Sequence, residues 1–191
     1  MGQYDTIRVH PFESLAPAWD DLRLSLNAAS VGAAAPTLTV FRSPVRAYAF
    51  SKTTPQQLAF DVQLPHSWSG AGDALYGEIR PHVHWATAAG GTGSTFVRWQ
   101  LTHSWANPGD AFPEPTVMDA VDAVASTTAY EHQIDSLGVI DGTGKRASSV
   151  LMCQLERLAT ADDFDNVAFA LSVDFHIRTA GHGSQDEYPS T

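Results

Sequence analysis

Histidine is the residue type with the most chemical potential in this chain, with eight copies in 191 residues. Two of them, His82 and His84, flank a single valine in the run Ile79-Arg80-Pro81-His82-Val83-His84-Trp85. On an extended strand this spacing sends both imidazoles to one face, about 7 Å apart along the chain. Imidazole pairs suit zinc, iron, copper or nickel, and a working centre needs a third ligand beside an open position. His66, His103, His176 and Asp61 are the candidates for that third ligand.

A cupin barrel uses the same His-x-His arrangement, but the comparison stops there. No glutamate follows His84 at short spacing, because Trp85-Ala86-Thr87-Ala88-Ala89 occupies those positions. The second cupin segment, a Pro-x-Gly followed by histidine, is also missing. Val83 and Trp85 are the apolar members of the run and claim the interior, which turns His82 and His84 outward. The expectation is therefore no metal and no other cofactor, with the two histidines serving as polar strand residues or as an interface pair.

Nucleophilic catalysis has less support. Ser67 adjoins His66 and Ser104 adjoins His103, but neighbouring residues on a strand point to opposite faces. No G-x-S-x-G elbow is present. Cys153, the single cysteine, sits between Leu151 and Leu155 and reads as a buried, inert thiol. Gly142-Thr143-Gly144-Lys145-Arg146 lacks phosphate-loop spacing and reads as a hairpin turn bearing two exposed charges. Asp162, Asp163, Asp165 and Asn166 cluster without the glycine and distal glutamate of a calcium loop, so a solvated loop is expected. No catalytic residue is assigned.

Tryptophan offers a binding signal instead. Trp85 and Trp99 belong to apolar strand faces, whereas Trp68 and Trp105 lie at strand ends beside turn residues. Exposed rings at such ends stack on sugars or partner proteins. Trp68, Trp105, His82 and His84 are thus the residues expected at an interface or glycan contact, with core packing as the competing role for both tryptophans.

The elements that would position these residues are strands. Between Asn166 and Arg178, Phe169, Leu171, Val173, Phe175 and Ile177 alternate with Ala168, Ala170, Ser172, Asp174, His176 and Arg178. A strand with five large apolar residues inward follows from that period. Similar alternation marks Leu58–Leu64, Ile79–Trp85, Val97–Trp105 and Leu151–Leu155, and weaker signals cover 37–41, 45–50 and 128–134. Pro81 inside its run suggests an edge strand or a bulge. Helix is scarce: Trp19–Leu26, after Pro17 and with acids in its first turn, and Met118–Ala125 are the two short candidates. About eight strands broken by glycine and proline turns predict an all-β, jelly-roll-like antiparallel sandwich. Residues 1–35 are expected to form an extended N-terminal arm with a short helix, and residues 36–191 the sandwich domain.

Composition narrows the partners. Eleven basic against twenty-one acidic residues give a net charge of −10, which argues against direct nucleic-acid binding. No apolar run approaches the roughly 20 residues of a membrane span. Met1-Gly2-Gln3-Tyr4-Asp5 lacks the basic and apolar regions of a secretory signal.

Six segments, taken together, resemble a group of small structural proteins of tailed bacteriophages. They are Pro17-Ala18-Trp19-Asp20-Asp21-Leu22-Arg23, Leu64-Pro65-His66-Ser67-Trp68, Ile79–Trp85, Val97-Arg98-Trp99-Gln100, His132-Gln133-Ile134 and Val173-Asp174-Phe175-His176. The resemblance spans roughly residues 17–178. It implies a virion component of jelly-roll-like fold, such as a capsid decoration protein or a tail or fibre attachment, and no catalysis. The partners implied are the major capsid protein or other virion proteins, with a dimer or trimer of the chain itself and a location in the virion. A tail- or fibre-associated carbohydrate- or receptor-binding module is the alternative function. A cupin-like metal-dependent enzyme is the second alternative.

Overall fold

The chain alternates strands with turns throughout the computed structural model, which describes residues 18–26, 29–32, 34–68 and 77–179. The first strands are β1 (Ala18–Ser25), β2 (Ser30–Val31), β3 (Thr37–Arg42), β4 (Val45–Phe50), β5 (Gln56–Gln63) and β6 (Glu78–Thr87). They are followed by β7 (Phe96–Ala106), β8 (Thr116–Val117), β9 (Val121–Val124), β10 (Gln133–Ser136), β11 (Ile140–Asp141), β12 (Val150–Arg157) and β13 (Ala168–Thr179).

All pairing is antiparallel and forms two sheets. The seven-stranded sheet runs β10-β6-β13-β4-β3, with β1 on β13 and β11 on β6. The six-stranded sheet runs β2-β5-β12-β7-β8, with β9 also on β7. Inward side chains from both sheets fill one core. Leu58, Phe60, Trp99, Leu101, Leu151 and Leu155 come from one layer, and Phe50, Val83, Trp85, Val173, Phe175 and Ile177 from the other. Ring contacts cross between layers: Phe50 meets Trp99 at 5.1 Å, Trp85 meets Trp99 at 6.2 Å and Phe60 meets Phe175 at 6.4 Å. Edge-to-face geometry adds to the burial of about 150–250 Å² per ring. The architecture is the expected jelly-roll-like β-sandwich.

Several local expectations need correction. Trp19–Leu26 is no helix: residues 18–25 form β1, paired along their whole length with β13 from Ala18↔Thr179 to Ser25↔Ser172. Leu22, Leu24 and Leu26 alternate as a strand requires, and the ladder to β13 decides between that signal and the acidic first turn. The helix expected over Met118–Ala125 is replaced by β9, which shares one side of β7 with β8 just before it. The weak 128–134 signal becomes a strand only from Gln133. The arm before Ala18 lies outside the described residues. Among the described residues, thirteen strand segments stand where about eight were expected, because short partners divide the sides of long strands.

β6 is not an edge strand, despite Pro81. It is paired with β13 on one side and with β10 and β11 on the other. Pro81 lies opposite the break between β10 and β11, where its carbonyl accepts from Leu137 N at 2.8 Å. No ladder donor is required at that point, so the missing amide costs nothing.

Simple alternation along β13 fails at one place. A register shift between Ala170 and Ser172 switches faces. After the shift, Val173, Phe175 and Ile177 point into the main core. Before it, Ala168 and Ala170 do so. Phe169 and Leu171 are thereby turned to the other face, where Phe169 joins Ala47, Ala49, Phe41 and Tyr130 in a satellite cluster. Three large apolar residues of β13 face the core, not five.

Candidate functional site

The polar side chains of β6 and β13 meet on the outer face of the seven-stranded sheet. Register sets Asp174 directly opposite His82, His176 opposite Arg80, and Ser172 opposite His84. On the far side of β13, Asp21 of β1 stands opposite His176. Because residues two apart on a strand share a face, His82-x-His84 and Asp174-x-His176 become one patch. The six-residue group is completed by Asp21 and by His132, which precedes β10.

Asp174 is its centre. His84 Nε2 lies 2.9 Å from Asp174 Oδ2, His176 Nε2 lies 3.5 Å from the same oxygen, and His82 Nδ1 lies 3.7 Å from Oδ1. His84 Nδ1 in turn meets His132 Nε2 at 2.8 Å, with the two rings stacked. His176 Nε2 also lies 3.3 Å from Asp21 Oδ1. The His82 and His176 ring centroids are 4.0 Å apart. Although on the outer face, Asp174 is only 3% exposed, since the imidazoles roof it over. A carboxylate so buried is costly unless its oxygens are satisfied. Yet Oδ1 of Asp174 and Nδ1 of His82 have no hydrogen-bond partner among the described residues. Burial lowers the pKa of His82, reinforced by the neighbouring His176 and opposed by Asp174, so its ring favours the neutral form.

No guanidinium or ammonium neutralises Asp174 among the described residues. Arg80 sits on the adjacent strand but turns to Glu78 Oε2 at 3.1 Å and lies 5.0 Å over the Trp19 ring. Arg178 stacks on the same indole at 4.4 Å. Trp19 is 44% exposed, so this arginine-flanked ring forms a second surface feature beside the histidines.

The other residues singled out in the sequence disperse. Of the third-ligand candidates, only His176 joins His82. His103 lies on β7 and Asp61 on β5, both in the opposite sheet, and His66 meets Ser148 Oγ at 3.0 Å. Trp68 and Trp105 are 6% and 3% exposed and pack on each other at 5.6 Å. Trp105 Nε1 donates to Ser149 Oγ at 2.9 Å. Both rings are committed to the core, which removes them as interface or glycan contacts. The glycan reading loses the residues that motivated it. Cys153 is buried as expected, and burial pushes its thiol pKa far up.

The aspartate loop is not simply solvated. Arg157, fully buried, clasps Asp162 through Nε at 2.7 Å and Nη2 at 3.1 Å. Asp163 Oδ1 accepts from Phe96 N, and Asp165 pairs with Lys52. The Gly142 turn differs too, because Lys145 Nζ donates to Trp105 O at 2.7 Å instead of standing free.

Asp21, Asp174 and His132 were missed as site residues. Val173-Asp174-Phe175-His176 carried a signal, since it places a carboxylate and an imidazole two apart on one strand face, as His82 and His84 are placed. His132 carried none, because it joins only through tertiary pairing.

Fold and site together define a two-sheet β-sandwich with a histidine–aspartate patch on one outer face. No family model and no curated protein matches the sequence. Among solved structures, that of infectious bursal disease virus strain Gx is similar at 11% identity and a TM-score of 0.41, over 92% of this chain and 34% of that one. The CBM22-1–GH10 modules of Clostridium thermocellum endo-1,4-beta-D-xylanase 10B, complexed with xylohexaose, are similar at 12% identity and a TM-score of 0.39. There the match covers 91% of this chain and 27% of that one, so the chain spans about a quarter to a third of these two structures. TmCBM61 in complex with beta-1,4-galactotriose is similar at 10% identity and a TM-score of 0.35, covering 82% and 86%. No residue role is carried across from these structures.

Proposed function

We propose that the protein is a structural component of a tailed-bacteriophage virion, one that decorates or cements the capsid by protein–protein contact and performs no reaction. One observation carries this reading. The segments that bear the phage resemblance fold into a single connected unit. Residues 18–23, 79–85, 132–134 and 173–176 lie on β1, β6, β10 and β13 or at their ends, adjacent in one sheet. Trp68 bridges to Thr179 at the end of β13, and Trp99 packs across the core on Trp85. This adjacency of the quoted residues in the folded chain supports the reading.

The surface suits an assembling protein. β3 pairs with β4 and with no other described strand, leaving one side of its backbone open for a partner strand. Leu38 and Val40 on it, and Val45 at the start of β4, are 40%, 49% and 59% exposed. A net charge of −10 disfavours adhesion to packaged nucleic acid. Repeated weak contacts on a symmetric shell sum to durable attachment.

The test is quantitative mass spectrometry of gradient-purified particles against the major capsid protein. Copies on the order of hundreds per particle are expected for a shell coat. Detection in the lysate but not in purified particles overturns the virion assignment. Recovery at tens of copies or fewer overturns the decorating role in favour of the tail.

A further inference from the structure

We propose that His82, Asp174 and His176 form a mononuclear binding site for a divalent transition-metal ion of the zinc class, fastening β6 to β13 on the outer face of the sheet. Each residue presents one donor atom, and the three donors lie within 4.8 Å of one another. The observed separations of 3.7 Å from His82 Nδ1 to Asp174 Oδ1, and 3.5 Å from His176 Nε2 to Asp174 Oδ2, bear on the ion's size. Bonds of about 2.1 Å arranged tetrahedrally place ligand atoms about 3.4 Å apart. Each distance is too long for a good hydrogen bond and near that ligand–ligand edge, the first measured to Oδ1 and the second to Oδ2 of the one carboxylate.

The second observation is the unmet polar demand. Asp174 is more than nine-tenths buried, and its Oδ1 lacks a hydrogen-bond partner among the described residues, as does His82 Nδ1 facing it. The two atoms face each other at 3.7 Å without a hydrogen bond between them. A cation between them satisfies both at once, and it neutralises a carboxylate that Arg80 has left alone.

The surroundings supply an outer shell. His84 Nε2 anchors Asp174 Oδ2 at 2.9 Å and is itself oriented by His132 at 2.8 Å. Asp21 Oδ1, 3.3 Å from His176, stands on the rim. Such partners set the orientation of first ligands. His176 and Asp21 are each 35% exposed at the side chain, which leaves a route from solvent and room for water as a further ligand. Two imidazoles with one carboxylate select zinc, iron, cobalt or nickel over calcium or magnesium, which prefer oxygen throughout. All three ligands stand on strands paired on both sides, so little ordering is needed on binding.

The experiment titrates chelator-treated full chain with Zn²⁺ alone, by calorimetry, and follows Tm in parallel. Saturable binding of one ion per chain with a raised Tm is expected, independently of whether the protein is found in virions. Loss of a ligand must exceed the roughly 10–100-fold loss in affinity typical of outer-shell changes, so His82→Gln and His176→Gln should each weaken binding beyond that range. His103→Gln, in the opposite sheet, should leave affinity unchanged. Should Asp174→Asn fail to fold, the His82→Gln/His176→Gln double variant, checked by circular dichroism, decides the matter. Absence of saturable binding, or binding retained in that folded double variant, overturns the proposal.

Discussion

Replacement of Arg157 by alanine tests the energetic reasoning most directly. The guanidinium is fully buried at the end of β12 and uses all five N–H donors. Two go to Asp162, at 2.7 and 3.1 Å, and three to the carbonyls of Phe50, Asn166 and Phe164 at 3.2, 2.8 and 2.8 Å. It thereby links the six-stranded sheet to β4 and to the connection entering β13. Arg157→Ala leaves Asp162, whose side chain is 1% exposed, as a buried charge held only by a long 3.4 Å contact from Arg98 N. That alone costs about 3–5 kcal/mol. Each carbonyl left without a donor adds about 1–3 kcal/mol unless water enters the space vacated. With water satisfying the carbonyls, the loss is still about 4 kcal/mol, a large part of the ~5–15 kcal/mol typical of a domain. Urea unfolding followed by circular dichroism should show a much lower midpoint at unchanged slope. The double variant Arg157→Met/Asp162→Leu should lose less than Arg157→Ala, since no charge is stranded. A loss below about 1 kcal/mol in Arg157→Ala would refute the reasoning. The bidentate Arg98–Asp122 pair is the control: its partners are 31% and 44% exposed, and Arg98→Ala should leave the midpoint nearly unmoved.

Two further outcomes follow from packing and charge. A Cβ added at Gly142 would stand 2.1 Å from the Gly77 carbonyl oxygen and 2.9 Å from the Trp68 ring. Because the first obstacle is backbone, Gly142→Ala should cost about 1–3 kcal/mol or more in a urea titration; a neutral result would show the turn free to shift. His103 titrates below its ordinary 6.5, first through burial and then through nearby Lys145. Below 6.5 the unfolded chain binds a proton that the folded chain resists, so stability should fall as pH drops from 6.5 toward the folded value. His103→Gln should flatten that slope below about pH 6.5, measured by urea midpoints. An unchanged slope would assign the acid sensitivity to other groups.

Much of the fold was legible because alternation is local. β4 coincides with the 45–50 signal, and β5, β6, β7, β12 and β13 lie over the runs that marked them. Each such run buries one set of side chains whatever the neighbouring strand. β1 was misread because eight residues containing acids and leucines satisfy helical start signals and strand alternation alike, and only its ladder to β13 separates them. The shift after Ala170 left no mark either, since a bulge changes the count without changing the composition.

The site divides along the same line. From sequence alone it follows that Val83 and Trp85 turn inward, that His82 and His84 therefore turn outward, and that Asp174 shares a face with His176. These are consequences of the extended backbone, in which direction alternates residue by residue. Tertiary structure alone decided that β6 lies beside β13 in a register that sets His82 against Asp174, with Asp21 arriving from β1 on one flank and His132 from just before β10 on the other. Lateral neighbours are set by how two whole sheets close over a shared core. The burial of Asp174 beneath imidazoles from 90 residues away therefore could not be read from the residues around it.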